Sequence, residues 1–461
     1  MIKIKSKIHR QLSDFNTPLN TLLAVREKYP LSLLLESSDY QSKENSYSFI
    51  GFDPIASIKV EHNRLKSTLG DDIEIGAPTQ LSSLLEEFRT RFKIDCVEKE
   101  VLRFSGLFGY STFESVKYYD NFHFNEEKYE GVIPDVQFHL FKYLVVFDHY
   151  NSRLFVIENR LENEESKLDD IIALVNKPTK SIYGFEPGEI TSNMSDEDYK
   201  GLVTVAKQHC QRGDVFQLVL SRKYTQQYYG DDINVYRALR AINPSPYLFY
   251  FDYGDFKIMG SSPEAHILVR GSRVEIHPIA GTMKRSGDND ADNKTAMALA
   301  EDPKENAEHN MLVDLARNDL SKHCTDVKVS DNKVIQYFSH VIHLVSKVVG
   351  NKPENVNAFQ VLEDTFPAGT LSGAPKHMAI ELINRYEPKE RGFYGGAIGY
   401  VNFNGDMNMA ITIRSVLSKN QELHYQAGAG IVVSSKEENE LQEVENKLGA
   451  IQAAVKMAQT I

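Results

Sequence analysis

Residues 302–319, DPKENAEHNMLVDLARND, read as a helix whose packing face opens with charge, and any fold for this chain must accommodate that. Asp302 followed by Pro303 is a helix start: a side chain that caps free backbone N–H groups, then a residue whose missing N–H costs nothing in the first turn. Glu305, Glu308, Leu312 and Leu315 follow at spacings of three, four and three, so they share one face. On an ordinary amphipathic helix that face is apolar throughout. Two carboxylates entering a buried stripe are costly unless paired, and a cation is the simplest partner. The alternative is local: Glu305 completes a capping box with Asp302, and Glu308 sits in water.

The last helix repeats the pattern. Ser435 with Glu438 three residues on reads as its cap. Leu441, Val444, Leu448, Ile451 and Val455 form a packing stripe, while Glu440, Glu443 and Lys447 each lie one residue ahead of a stripe position, along one margin. A solvated flank with a Glu443–Lys447 ion pair is the other reading.

Elsewhere the chain mixes helix and strand, an α/β (α+β) pattern. Residues 31–37 read as a buried strand and 47–60 as two strands broken at Asp53-Pro54. Residues 79–95 read as a helix, and 138–147 with 154–157 as a hairpin. Residues 158–194, first acidic and then broken by Pro and Gly, read as a connection between a region at 1–175 and one at 190–458. A helix from Ser195 to a stop at Gly213 precedes a strand at 215–221 that contains Gln217; a glutamine in a strand usually faces solvent. Residues 283–296 read as a polar loop, 337–349 as a strand bearing His343, and 366–383 as a Gly-rich loop feeding a helix near Ala374-Pro375. Asn404-Gly405 marks a hairpin within 392–417.

The net charge of −12, with no basic patch, argues against nucleic acid as a partner. No apolar run reaches membrane-spanning length, and the basic N-terminus lacks the apolar core of a signal peptide. Cys96, Cys210 and Cys324 stand apart in polar contexts, with neither metal-ligand spacing nor a disulfide framework. A reduced, cytoplasmic protein is expected.

The segments GDVFQLVLSR, NPSPYLFYF, GSSPE, HPIAGT, DPKENAEHNMLVDLARND, FPAGTLSGAPK, GFYGGAIGY, TIRS, GAGIV and EVENK occur in an order that resembles the chorismate-utilising enzymes, most closely their anthranilate-forming branch. The resemblance is dense over 195–455, and LLLESS extends it toward the N-terminus. It implies large mixed or antiparallel sheets stacked on each other with helices outside. It also implies a Mg²⁺-dependent amination of chorismate at ring carbon 2, loss of the 4-hydroxyl, and elimination of pyruvate. Glu308 and Glu443 match direct Mg²⁺ ligands, and Glu305 and Glu440 a water-mediated shell, a donor set that suits a hard cation. Glu264 matches the general acid for the departing hydroxyl, which requires a raised pKa. Arg414 and Tyr394 match the grip on the enolpyruvyl carboxylate, assisted by backbone at Gly428, Ala429 and Gly430. Gly281, Thr282 and Thr370 match further substrate contacts, Lys447 lies near the metal-bound carboxylate, and His343 matches a proton-transfer histidine.

Two residues set the chemistry by what they are not. Relatives that add water to chorismate carry lysine where Gln217 stands, and aminodeoxychorismate-forming relatives carry lysine where Ala280 stands. With neither lysine, ammonia is the expected nucleophile. No cysteine lies in a glutaminase context, so the resemblance implies a separate glutamine amidotransferase subunit and a heterotetramer of two large and two small subunits. Leu35, Glu36 and Ser37, with Pro246, Tyr247 and Leu248, match the family's regulatory tryptophan site. The alternative activities within the family are aminodeoxychorismate synthesis and arrest at aminodeoxyisochorismate.

Overall fold

Two long strands, Tyr47–Glu61 and Val136–Asp148, run antiparallel along their length and are shared by two sheets. The computed structural model describes residues 1–37, 46–75, 78, 80–177, 182–337 and 341–461, without the side chains of Thr282, Lys284 and Val341. The expected break at Asp53-Pro54 is a bend instead. Asp53 adopts φ 57, and the ladder slips between Pro54 and Ala56, where the proline has no N–H to give. The strand continues past the bulge but turns into the second sheet.

The first sheet runs from Tyr47–Glu61 through Ser32–Glu36, Tyr247–Asp252, Phe256–Ser262, Ser415–Lys419 and Glu422–Ile431 to Gln217–Gly230. The second runs from Val136–Asp148 through Gly106–Ser111, Ala397–Asn402, Met407–Ile411, Ala265–Arg270 and Arg273–Ile276 to Val341–Asn351, which also pairs with Ile279–Lys284 and Thr325–Tyr337. These pairings are all antiparallel; Ile2–Leu12 with Phe92–Asp95 is parallel. An aromatic core drawn from both sheets, including Phe49, Phe108, Phe141, Phe249, Phe256 and Phe393, fills the space between them. Large flat rings suit this gap, since each buries a wide apolar area with few rotatable bonds.

The fold class is the expected α/β arrangement, with helices packed outside the sheets. Ser195 and Asp198 form a capping box at the start of Asp196–Arg212, and Gly213 ends that helix at φ 84. Several local expectations are corrected. The stretch 283–296 contains most of a helix, Asn289–Glu301, capped by Asp288; only Asp292, Ala296 and Leu299 are buried, too narrow a stripe to show as periodicity. The last helix, Glu437–Ala458, is flanked by Lys436 rather than capped by Ser435, whose hydroxyl instead accepts from the Val432 N–H. Residues 79–95 divide into the helix Gln80–Thr90 and the strand Phe92–Asp95. The connection expected at 158–194 carries the helix Leu168–Val175 and the strand Phe185–Ser192, which pairs with Gln217–Gly230.

Candidate active site

The strand Gln217–Gly230 places Gln217 inside the protein, only 3% exposed, against the surface position expected of a strand glutamine. Its Nε2 donates to Glu308 Oε1 at 2.9 Å. Beside it, Gly428, Ala429 and Gly430 lie in register with Ser221, Leu220 and Val219. A Cβ on Gly430 would meet Gln217 Nε2 at 2.5 Å, and one on Gly428 would meet Leu220 O at 2.8 Å and the Tyr394 hydroxyl at 3.1 Å. Only glycine leaves this backbone bare.

Glu264 lies in the turn between the strands Phe256–Ser262 and Ala265–Arg270, and the Thr370 hydroxyl donates to its Oε1 at 3.1 Å. Some of the residue's surface is exposed, but its carboxyl is enclosed. Burial pushes that carboxyl up to about 7, against the pull of the Thr370 hydroxyl and the charges of Arg414 and Lys447. Arg414 sits between the strands Met407–Ile411 and Ser415–Lys419 at φ 49, in the left-handed region. Among the described residues its guanidinium has no hydrogen-bond partner; burial lowers its pKa and the nearby Glu264 opposes that. A half-buried guanidinium with no hydrogen-bonded carboxylate among the described residues suits an anion.

His343 stands opposite Thr282 in the ladder, and its Nδ1 lies 3.0 Å from the Gly281 carbonyl. A carbonyl only accepts, so Nδ1 of the neutral ring carries the proton. Burial lowers the ring's pKa and so favours that neutral form. Ala280 is buried next to this pair. The side chain of Thr282 lies outside the described residues.

The two carboxylate pairs face each other. Asp302 caps the Lys304 and Glu305 N–H groups, as expected, but its own N–H goes to Leu299 O, so the reciprocal bond of a capping box is not made. Burial raises Glu305, and the charges of Glu308, Asp302 and Glu443 raise it further. Burial also raises Glu440, with help from Glu443, while a Ser435 hydrogen bond opposes. Glu440 is buried, so the solvated-flank reading fails for it, although the Glu443–Lys447 pair does form at 2.8 Å. Lys447 also donates to Gly428 O at 2.8 Å. Among the described residues no three His, Cys, Asp or Glu side chains are close enough to enclose a metal. Mutually repelling carboxylates divided between two helices suit Mg²⁺, which binds one or two carboxylates and keeps water and substrate oxygens for the rest.

A second cavity lies between the two sheets, and all six residues expected for regulation line it: Leu35, Glu36, Ser37, Pro246, Tyr247 and Leu248. Sequence reasoning missed other polar residues of its lining, among them Arg103, Arg270, Asn402, Asp406 and Asn408. It also missed the groups holding Glu36: the Tyr236 hydroxyl donates to Glu36 Oε2 at 2.5 Å, and Arg240 Nε lies 3.2 Å away. Arg391 and Glu387 form a further unpredicted pair. The fully buried Arg391 donates to both carboxylate oxygens of Glu387, to Leu371 O at 2.6 Å and to Val219 O at 2.8 Å. These partners come from separate elements, and no sequence spacing announces them.

An antiparallel two-sheet body that sets Glu308 against Gln217, Glu443 near Glu305 and Arg414 near Glu264 marks the class of enzyme that binds a small anion. The sequence pattern of chorismate binding enzymes matches residues 33–453, and the chain belongs to that family. Within it, the chain is 36% identical over 472 residues to the anthranilate synthase component 1 of Aquifex aeolicus (strain VF5), covering 97% of this chain and 94% of that protein. The crystal structure of anthranilate synthase component I from Streptococcus pneumoniae TIGR4 superposes with a TM-score of 0.78 at 33% identity, covering 88% of this chain and 92% of that one. The menaquinone-specific isochorismate synthase of Escherichia coli shares the fold, with a TM-score of 0.74 at 17% identity over 98% of this chain and 95% of that one.

Proposed function

We propose that the chain is the chorismate-aminating large subunit of an anthranilate synthase, acting at the first step of tryptophan biosynthesis. The observation that carries this reading is an enclosed Glu264, its carboxyl pushed up to about 7 by burial, near an Arg414 with no hydrogen-bond partner among the described residues, with Gln217 and Ala280 where a lysine would direct other chemistry. Arg414, the Tyr394 hydroxyl and the bare backbone at 428–430 hold the enolpyruvyl carboxylate. Glu305, Glu308, Glu440 and Glu443 would hold Mg²⁺, which supplies charge neutralisation for the ring carboxylate. Ammonia forms the bond to ring carbon 2 and loses one proton, both ring double bonds shift by one place, and the 4-hydroxyl leaves as water with the Glu264 proton. His343 then takes part in proton transfer in the second step. The carbon 2 proton is lost, the enolpyruvyl methylene gains one, and the ether bond breaks to give anthranilate and pyruvate.

Ammonia comes from a separate glutamine amidotransferase subunit. Burial raises the thiol pKa of Cys210 and pushes Cys324 up to about 11, the opposite of an activated nucleophile. The assembly is a heterotetramer in the cytoplasm, and among the described residues no helix is long and apolar enough to cross a membrane. The region 1–175 supplies one wall of the regulatory cavity and 190–458 the catalytic residues, with tryptophan as the ligand that inhibits. The test is chorismate with Mg²⁺ and ammonium at alkaline pH, read by product fluorescence. Anthranilate must appear without any lyase partner, and glutamine must not replace ammonium for the isolated chain. A product that stays aminodeoxychorismate would assign the chain to that neighbouring activity.

A further inference from the structure

We infer that Ser261 is a positioning residue for Arg414, through which occupancy of the regulatory cavity loosens the grip on the substrate carboxylate; this rests on the regulatory reading proposed above. Ser261 is fully buried in the strand Phe256–Ser262, directly opposite Leu248 of the cavity wall. Its backbone N–H donates to the Arg414 carbonyl at 3.1 Å, and its hydroxyl donates to the Asn243 carbonyl. One residue thus bonds a catalytic element with its main chain and a regulatory element with its side chain.

Asn243 is where the helix Ile233–Ile242 ends and the turn leading to Pro246 begins. The same helix carries Tyr236 and Arg240, which hold Glu36, the residue paired with Leu248 on the neighbouring strand. Two adjacent strands of the cavity lining therefore bear on one helix, and Ser261 joins its end to Arg414. On the other side, Arg414 keeps φ 49, a conformation that a residue with a Cβ holds only when its surroundings fix it. The Ser261 N–H fixes its carbonyl. The following residue, Ser262, accepts from the Glu264 N–H at 3.4 Å, so the same strand end also bears on the general acid. A ligand that favours a shifted Pro246–Leu248 wall thereby favours a shifted Ser261, and Arg414 loses the one backbone geometry that points its guanidinium inward.

Ser261→Ala removes the hydroxyl and leaves the N–H bond to Arg414, so it cuts the link on the regulatory side only. The chain contains no tryptophan, so indole emission comes from the ligand alone and its anisotropy rises with the fraction bound. In Ser261→Ala, tryptophan binding stays within about threefold of the parent, while inhibition of the ammonia-dependent rate needs at least about tenfold more tryptophan; Ser261→Thr, which keeps the donor, restores inhibition. Coupling is reciprocal, so without ammonia saturating chorismate weakens tryptophan binding to the parent and not to Ser261→Ala. Binding and inhibition that still coincide in Ser261→Ala, or chorismate weakening tryptophan equally in both proteins, overturns the role of Ser261. A parent protein that shows no tryptophan binding overturns the regulatory reading beneath it, before any variant is made.

Discussion

As the proposed general acid, Glu264 should govern the reaction's pH dependence. The working form is the protonated carboxyl, and burial holds that proton up to about pH 7. Raising the pH through that value removes the acid, so at a fixed concentration of free ammonia the rate should fall above about pH 7. Total ammonium conceals this limb, because the free amine grows with pH; initial rates at constant free ammonia separate the two. Glu264→Gln should lower kcat by about 10²–10⁴-fold and abolish the limb. Gln217→Lys is the complementary change at the nucleophile. A lysine there beside Glu308 should divert chorismate from ammonia toward water, which chromatography of the products would reveal as isochorismate in place of anthranilate. Unchanged products would remove Gln217 from the specificity argument.

At the scale of elements, the cleft depends on how helices begin and where strands twist. Asp302 caps two N–H groups of the helix Pro303–Leu320 and so fixes its first turn, which carries Glu305. Asp302→Ala should cost about 1 kcal/mol in a denaturant midpoint and raise the Mg²⁺ concentration needed for half-maximal rate. Gly281 is more exacting. It sits at φ 70, and a Cβ there would lie 2.6 Å from Leu299 Cδ1 and 3.1 Å from Glu305 Oε2. Gly281→Ala should therefore lower activity and Mg²⁺ affinity together, and activity that withstands it would detach the Gly281 backbone from the metal pair. These two elements also mark how far sequence reading reaches. A capped helix with carboxylates on its face is visible because cap, proline and spacing lie within a dozen residues. The helix Asn289–Glu301 was not, since tertiary contact buries only one narrow stripe of it. Ser261, Tyr236 and Arg391 were not either, since each acts through bonds to residues distant in the chain.

For the whole molecule, the deciding fact is that neither sheet is built from one end of the chain. Ser32–Glu36 pairs with Tyr247–Asp252, and Gly106–Ser111 with Ala397–Asn402. Residues 190–458 expressed alone would leave Phe249, Phe251, Phe256 and Phe393 without the rings of Phe49, Phe108 and Phe141. That fragment should aggregate or bind a hydrophobic dye, and a soluble, cooperatively melting fragment would contradict the shared core. The Arg391–Glu387 pair acts at the same scale, since it ties the strand Gln217–Gly230 to the short helix Gly369–Ser372. Arg391→Ala leaves a buried carboxylate uncompensated and should cost about 3–5 kcal/mol, visible as a lowered Tm.

The strand Gly106–Ser111 has a further consequence, for the time when the chain is made. Its neighbour on one side, Val136–Asp148, leaves the ribosome soon after it, but its neighbour on the other, Ala397–Asn402, comes far later. At about 5–20 residues per second the unpaired edge waits on the order of tens of seconds for its partner. Throughout that interval the nascent chain presents an apolar, hydrogen-bond-hungry border to the cell. The yield of this enzyme should then depend on how well chaperones shield that border, and slowing translation before residue 397 should cost more folded protein than slowing it after residue 431.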